Sequence, residues 1–121
     1  NETILVVEDD AMVRGYVITQ IKSLGYAPLE AGNATEALEL IDRYPGIDLL
    51  FTDVIMPGPM NGRQLANAAV KRLPALKTLY TSGYTENAIV HHGRLDPGVL
   101  LLAKPYRKSE LARMIRQALG G

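Results

Sequence analysis

Four short, mainly apolar stretches recur along the chain: Ile4 to Val7, Leu49 to Thr52, Thr78 to Thr81 and Val99 to Ala103. Runs of four or five such residues without polar alternation fit strands buried on both faces, as in a parallel sheet. Tyr26 to Ala31 is a weaker fifth candidate. Between the first two candidates along the chain, Val13, Val17, Ile21 and Leu24 recur at helical spacing and form one apolar stripe, and Gly25 is placed to end that helix. Asn33 followed by Glu36 marks the start of a second helix carrying Ala37, Leu38 and Ile41, with Pro45-Gly46 at its end. Leu65, Ala69 and Leu73 mark a third helix closed by Pro74, and residues 85–92 form a weaker fourth. Ser109 is expected to cap the last helix, whose Leu111, Ile115 and Ala118 face inward.

Five strands alternating with five helices predict an α/β domain built from right-handed crossovers, with a parallel sheet covered by helices on both faces. In open sheets of this kind, ligands bind beyond the carboxyl ends of the strands. No repeat or low-complexity stretch interrupts the alternation.

Composition narrows the picture. The chain has 121 residues and no cysteine, so disulfides and thiolate zinc sites are excluded. No apolar run approaches the roughly 20 residues needed to span a bilayer, and the N-terminus lacks a signal-peptide layout, so a soluble, cytoplasmic protein is expected. Asn1 in place of an initiating Met leads to the expectation that residues 1–121 are a single domain excised from a longer protein. The formal net charge is zero, giving no reason to expect nucleic acid or an anionic membrane as a partner. The charges are nevertheless segregated: residues 1–53 hold ten acids and three bases, residues 54–121 three acids and ten bases. An uneven surface explains this in part, and acids gathered to hold a cation explain it more sharply.

The residues leaving the strands at their carboxyl ends carry the chemistry. The first strand delivers Glu8-Asp9-Asp10, the third Asp53, the fourth Thr81-Ser82 and the last Lys104-Pro105. Converging carboxylates repel one another unless a cation or protons neutralise them. Hard oxygen ligands favour Mg²⁺, which keeps open positions for a phosphate oxygen. A carboxylate can then act as nucleophile and form an aspartyl-phosphate, provided fixed donors balance the developing charge. Lys104 supplies a cation and Thr81 a hydroxyl. Each alone is more often structural, but the joint set at four strand ends is not.

The blocks Val6-Val7-Glu8-Asp9-Asp10, Leu49 to Gly58, Thr81-Ser82-Gly83-Tyr84 and Ala103-Lys104-Pro105-Tyr106 resemble the signature blocks of response-regulator receiver domains across the whole chain. The resemblance implies a flavodoxin-like (βα)5 doubly wound five-stranded parallel sheet of strand order 2-1-3-4-5. It makes Asp53 the phosphoacceptor. Glu8 and Asp9 become the acidic pair that binds Mg²⁺ together with Asp53 and the Ile55 backbone carbonyl, and Asp10 falls outside that pair. Thr81 is implied as the hydroxyl that bonds the phosphoryl group, Lys104 as its paired cation, and the Lys104-Pro105 bond as cis. The implied partner is a histidine kinase or a histidine phosphotransfer domain, in cis or in trans, with a phosphorylation-dependent homodimer as a further expectation. The pattern is most similar to receivers fused to hybrid sensor kinases.

Three positions depart from the commonest pattern. Glu8 stands where a second Asp is usual, the loop Met56 to Gly62 is one residue longer, and Leu101 occupies the place of an aromatic switch residue, leaving Tyr84 or Tyr106 to serve a related role. Other classes fit less well. An aspartate-nucleophile phosphohydrolase resembles this site but carries a second Asp two residues after the nucleophile, where Ile55 stands. A flavodoxin-like cofactor binder would cradle a phosphate after the first strand, where Glu8-Asp9-Asp10 would repel it. A degenerate receiver serving as a scaffold would have lost part of the acid, Thr and Lys set, which is complete. No enzymatic turnover beyond self-dephosphorylation is expected. His91-His92 point about 100° apart on a helix and have no third ligand nearby, so they read as solvated. The five basic residues between 104 and 116 read as the wet face of the last helix.

Overall fold

The computed structural model describes residues 2–82 and 100–120. Strands β1 (Thr3–Val7), β2 (Ala27–Ala31), β3 (Leu49–Asp53), β4 (Lys77–Ser82) and β5 (Leu101–Ala103) form one sheet of order β2-β1-β3-β4-β5. Every pairing is parallel. Among the described residues four helices pack on it: α1 (Ala11–Ser23), α2 (Ala34–Arg43), α3 (Gly62–Arg72) and α4 (Lys108–Ala118). None of them is long and apolar enough to cross a membrane. The expected helix over 85–92, with Val99, Gly83, Tyr84, His91 and His92, lies outside the described residues.

The continuous apolar runs are explained by burial on both faces. Leu5, Val7 and Leu50 pack with Ile41 of α2 and Leu65 and Ala69 of α3. Their neighbours Ile4, Val6, Leu49 and Phe51 pack on the opposite face with Val17 and Ile21 of α1 and Leu111 and Ile115 of α4. Strand β2 lies at a sheet margin and is only partly buried, the physical reason its sequence signal is weak.

Helix ends follow local chemistry. The Asp10 side chain accepts from the N–H groups of Met12 and Val13 at 2.9 and 3.2 Å, and the Asn33 side chain accepts from Glu36 N–H. Asn61 and Gln64 form a reciprocal capping box at α3. Helix α1 is capped by Leu24, followed by Gly25 at φ 94°, a left-handed conformation that glycine adopts without a Cβ penalty. The last helix corrects the expectation for Ser109: α4 starts at Lys108, Arg107 is its cap residue, and Glu110 reaches back to accept the Arg107 N–H at 2.8 Å. Ser109 therefore lies inside the helix. The Lys104-Pro105 bond is cis.

Candidate functional site

The sheet brings the strand ends to one edge. Val7 pairs in register with Thr52 and Asp53 with Thr81, so the residues that follow β1 and those that end β3 and β4 are neighbours. Glu8 N–H donates to the Ala31 carbonyl, and Lys104 N–H donates to the Ser82 carbonyl, which extends the ladder one step past β1 and β5. Carboxylate oxygens of Glu8, Asp9 and Asp53 all come within 4.8 Å of one another. Asp53 and Glu8 are 6% and 5% exposed, whereas Asp9 is open to solvent. Asp10 stands apart as the α1 cap, and its backbone N–H donates to Glu8 Oε2 at 3.0 Å.

Lys104 reaches in from the far side of the sheet. Its Nζ lies 2.9 Å from Asp53 Oδ1 and 3.0 Å from Glu8 Oε1, tying the two buried carboxylates together. Thr81 is beside Asp53 in register, but its hydroxyl is turned away and donates to the Leu102 carbonyl of β5 at 2.8 Å. Ile55 lies in the loop after β3 and is 59% exposed. Leu101, at the place of the family's aromatic switch residue, is a partly buried aliphatic residue packed against the α2/α3 side of the core. Tyr106 lies on the other side, its ring edge-on to Phe51 with centroids 6.3 Å apart.

Electrostatics follow from this packing. Burial, together with the bonded Glu8 carboxylate, pushes Asp53 up from its usual 3.8 to about 7, against the pull of Lys104. Burial would also raise Glu8, but its bonds with Asp53, the Asp10 N–H and Lys104 outweigh that and hold it below its usual value. Burial tends to lower Lys104, and the two carboxylates reverse this and raise it. Burial and then the charges of Asp53 and Glu8 push the Tyr106 hydroxyl up. Fully ionised, Glu8 and Asp53 would carry more negative charge than one lysine balances, which is why Asp53 resists ionising. An exposed oxygen ligand beside two buried ones is the donor set a hard divalent cation takes, so these residues fit Mg²⁺.

Two residues that matter here escaped the sequence reading. Gly62, the first residue of α3, is pressed on the back of β3: a Cβ there would stand 1.9 Å from the Asp53 carbonyl oxygen. Its signal was a glycine, a poor helix former, directly after a helix cap. The second is Arg14, whose Nη1 donates to the Glu8 carbonyl at 2.6 Å. No local pattern marks it.

The family described as the response regulator receiver domain matches residues 4–116. The chain is 34% identical over 118 residues to the sensor kinase CckA of Brucella abortus, covering 97% of this chain and 12% of that protein. It is 29% identical to the response regulator receiver protein CpdR of the same organism, covering 96% of this chain and 95% of that one. The crystal structure of the receiver domain of the hybrid histidine kinase CckA superposes with a TM-score of 0.80 at 33% identity, covering 97% of this chain and 98% of that one. A response regulator receiver protein from Sinorhizobium medicae shares the fold, with a TM-score of 0.86 over 99% of this chain and 95% of its own.

Proposed function

Because the chain belongs to the family of response regulator receiver domains, we propose that it takes a phosphoryl group onto Asp53 from a phosphohistidine of a histidine kinase or phosphotransfer domain, and passes on the change of state. The observation that carries this reading is the buried Asp53 carboxylate, held 2.9 Å from the Lys104 ammonium within an acidic cluster at the sheet edge. An Asp53 oxygen attacks phosphorus, the P–N bond to the imidazole breaks, and the imidazole nitrogen leaves with the bonding pair and takes a proton. The product is a mixed anhydride of aspartate and phosphate.

Glu8, Asp9, Asp53 and the Ile55 backbone carbonyl are assigned as the Mg²⁺ ligands. Bound there, Mg²⁺ supplies the positive charge that offsets the carboxylates and the phosphoryl oxygens. Lys104 keeps Asp53 oriented before transfer and becomes the fixed cation for a phosphoryl oxygen after it. Thr81 gives up the Leu102 carbonyl to donate to another phosphoryl oxygen. Ile55 offers no acid to drive turnover of an external substrate, so the domain acts as a relay, with self-dephosphorylation as its only hydrolysis. The unit is read as one receiver domain. Its similarity to a hybrid kinase that is far longer supports a place within a larger signalling protein.

The test is intact-mass measurement after incubation with a small phosphodonor such as acetyl phosphate. One phosphoryl adduct is expected with Mg²⁺, and none with EDTA or in Asp53→Asn. An adduct on that variant, or one that forms equally in EDTA, overturns the assignment.

A further inference from the structure

Arg14 lies one turn into α1, its backbone N–H bonded to the Asp10 carbonyl. Its guanidinium is used at two points. Nη1 donates to the Glu8 carbonyl at 2.6 Å, and Nε donates to Glu30 Oε1 on β2 at 3.0 Å. The Arg14 side chain is 20% exposed and Glu30 56%, so the ion pair by itself is largely solvated and worth little. The bond to the Glu8 carbonyl is another matter. That carbonyl belongs to the peptide unit joining Glu8 to Asp9, and its orientation sets the direction in which Asp9 leaves the strand. The Glu8 N–H is already bonded to the Ala31 carbonyl. With Arg14 on the carbonyl, Glu8 is held at both of its backbone polar groups. Space for the guanidinium comes from Gly32, where a Cβ would stand 3.3 Å from Nη1.

We propose that Arg14 is a positioning residue for the metal side of the site: its guanidinium, steadied by Glu30, fixes the Glu8-Asp9 peptide so that the buried and the exposed carboxylate converge before any cation arrives. This rests on the proposed function, since it assumes that Glu8 and Asp9 bind Mg²⁺. Arg14 touches neither metal nor phosphoryl group.

Charge and position act in opposite directions here, which makes the idea testable. Removing a cation beside an acidic cluster should tighten Mg²⁺ binding, whereas releasing the peptide should weaken it. Supporting groups behind metal ligands typically change affinity by about 10- to 100-fold. For Arg14→Ala, calorimetric titration with MgCl₂ should give about tenfold weaker binding than the parent. The Mg²⁺ concentration for half-maximal phosphorylation by acetyl phosphate should rise by about the same factor, with the rate at saturating Mg²⁺ within about twofold. Arg14→Lys, a point charge without the planar fork that spans the Glu8 carbonyl and Glu30, should fall between parent and Ala. Unchanged or tighter Mg²⁺ binding in Arg14→Ala overturns the proposal, as does a loss of saturating rate with no change in Mg²⁺ affinity. If the parent neither binds Mg²⁺ nor takes a phosphoryl group, the proposed function fails instead.

Discussion

Asp53 is in an environment that resists its own charge. In the unfolded chain its carboxyl ionises near 3.8, and in the metal-free fold it does so near 7 because of burial and Glu8. Between those values the folded protein holds a proton that the unfolded chain has released. Stability without metal is therefore lost as pH rises from about 4 to about 7 and stays low above that. Asp53→Asn has no such dependence at this position, so its melting temperature should exceed the parent's in EDTA by a margin that grows up to about pH 7 and then levels. Thermal scans at intervals of pH measure this; a constant difference contradicts the buried-charge account. Gly62 makes a second point at this scale. The added methyl of Gly62→Ala meets the Asp53 carbonyl oxygen rather than a flexible side chain. The loss expected is about 3 kcal/mol, the upper end for overpacking a tight contact, read as a lower urea midpoint. The placement of Glu8, Asp9, Asp53, Thr81 and Lys104 at strand ends was legible because continuous apolar runs mark where the strands stop. Gly62 and Arg14 were not, since each acts on a backbone carbonyl of another element, and such contacts exist only once register is set.

At the scale of elements, the three consecutive acids after β1 divide their work. Glu8 is buried, Asp9 is open to solvent, and Asp10 caps α1 through two N–H groups. Asp10→Ala should cost about 1 kcal/mol in stability, as is usual for a lost cap, while the phosphoryl adduct on Asp53 still forms. Denaturant melts and intact mass together check both halves. If Asp10→Ala abolishes the adduct, Asp10 serves the site directly. The helix start at Asn33 was legible from residue type, whereas the cap at Asp10 was hidden within a run of three acids. At α4 the cap chemistry is supplied from inside the helix by Glu110, so Arg107, an uncommon cap residue, occupies the position that Ser109 was expected to fill.

For the whole molecule, the alternation of strands and helices was sufficient to indicate the architecture, because a parallel sheet buried on both faces leaves continuous apolar runs. It did not indicate how firmly each strand is held. Strand β3 has neighbours on both sides and five buried residues, while β5 has three residues and, among the described residues, pairs with β4 alone. The Thr81 hydroxyl adds a clasp from β4 to the Leu102 carbonyl. If phosphorylation draws that hydroxyl toward Asp53, the clasp opens at the β5 margin of the sheet. The amide of Lys104, which donates to the Ser82 carbonyl across the same ladder, should then exchange with deuterium faster in the phosphorylated protein, and Thr81→Val should show the faster exchange without phosphate. Chemistry at the rigid centre would thus be broadcast by slackening the rim: a signal carried by one strand's freedom to slip, in a sheet whose interior does not yield.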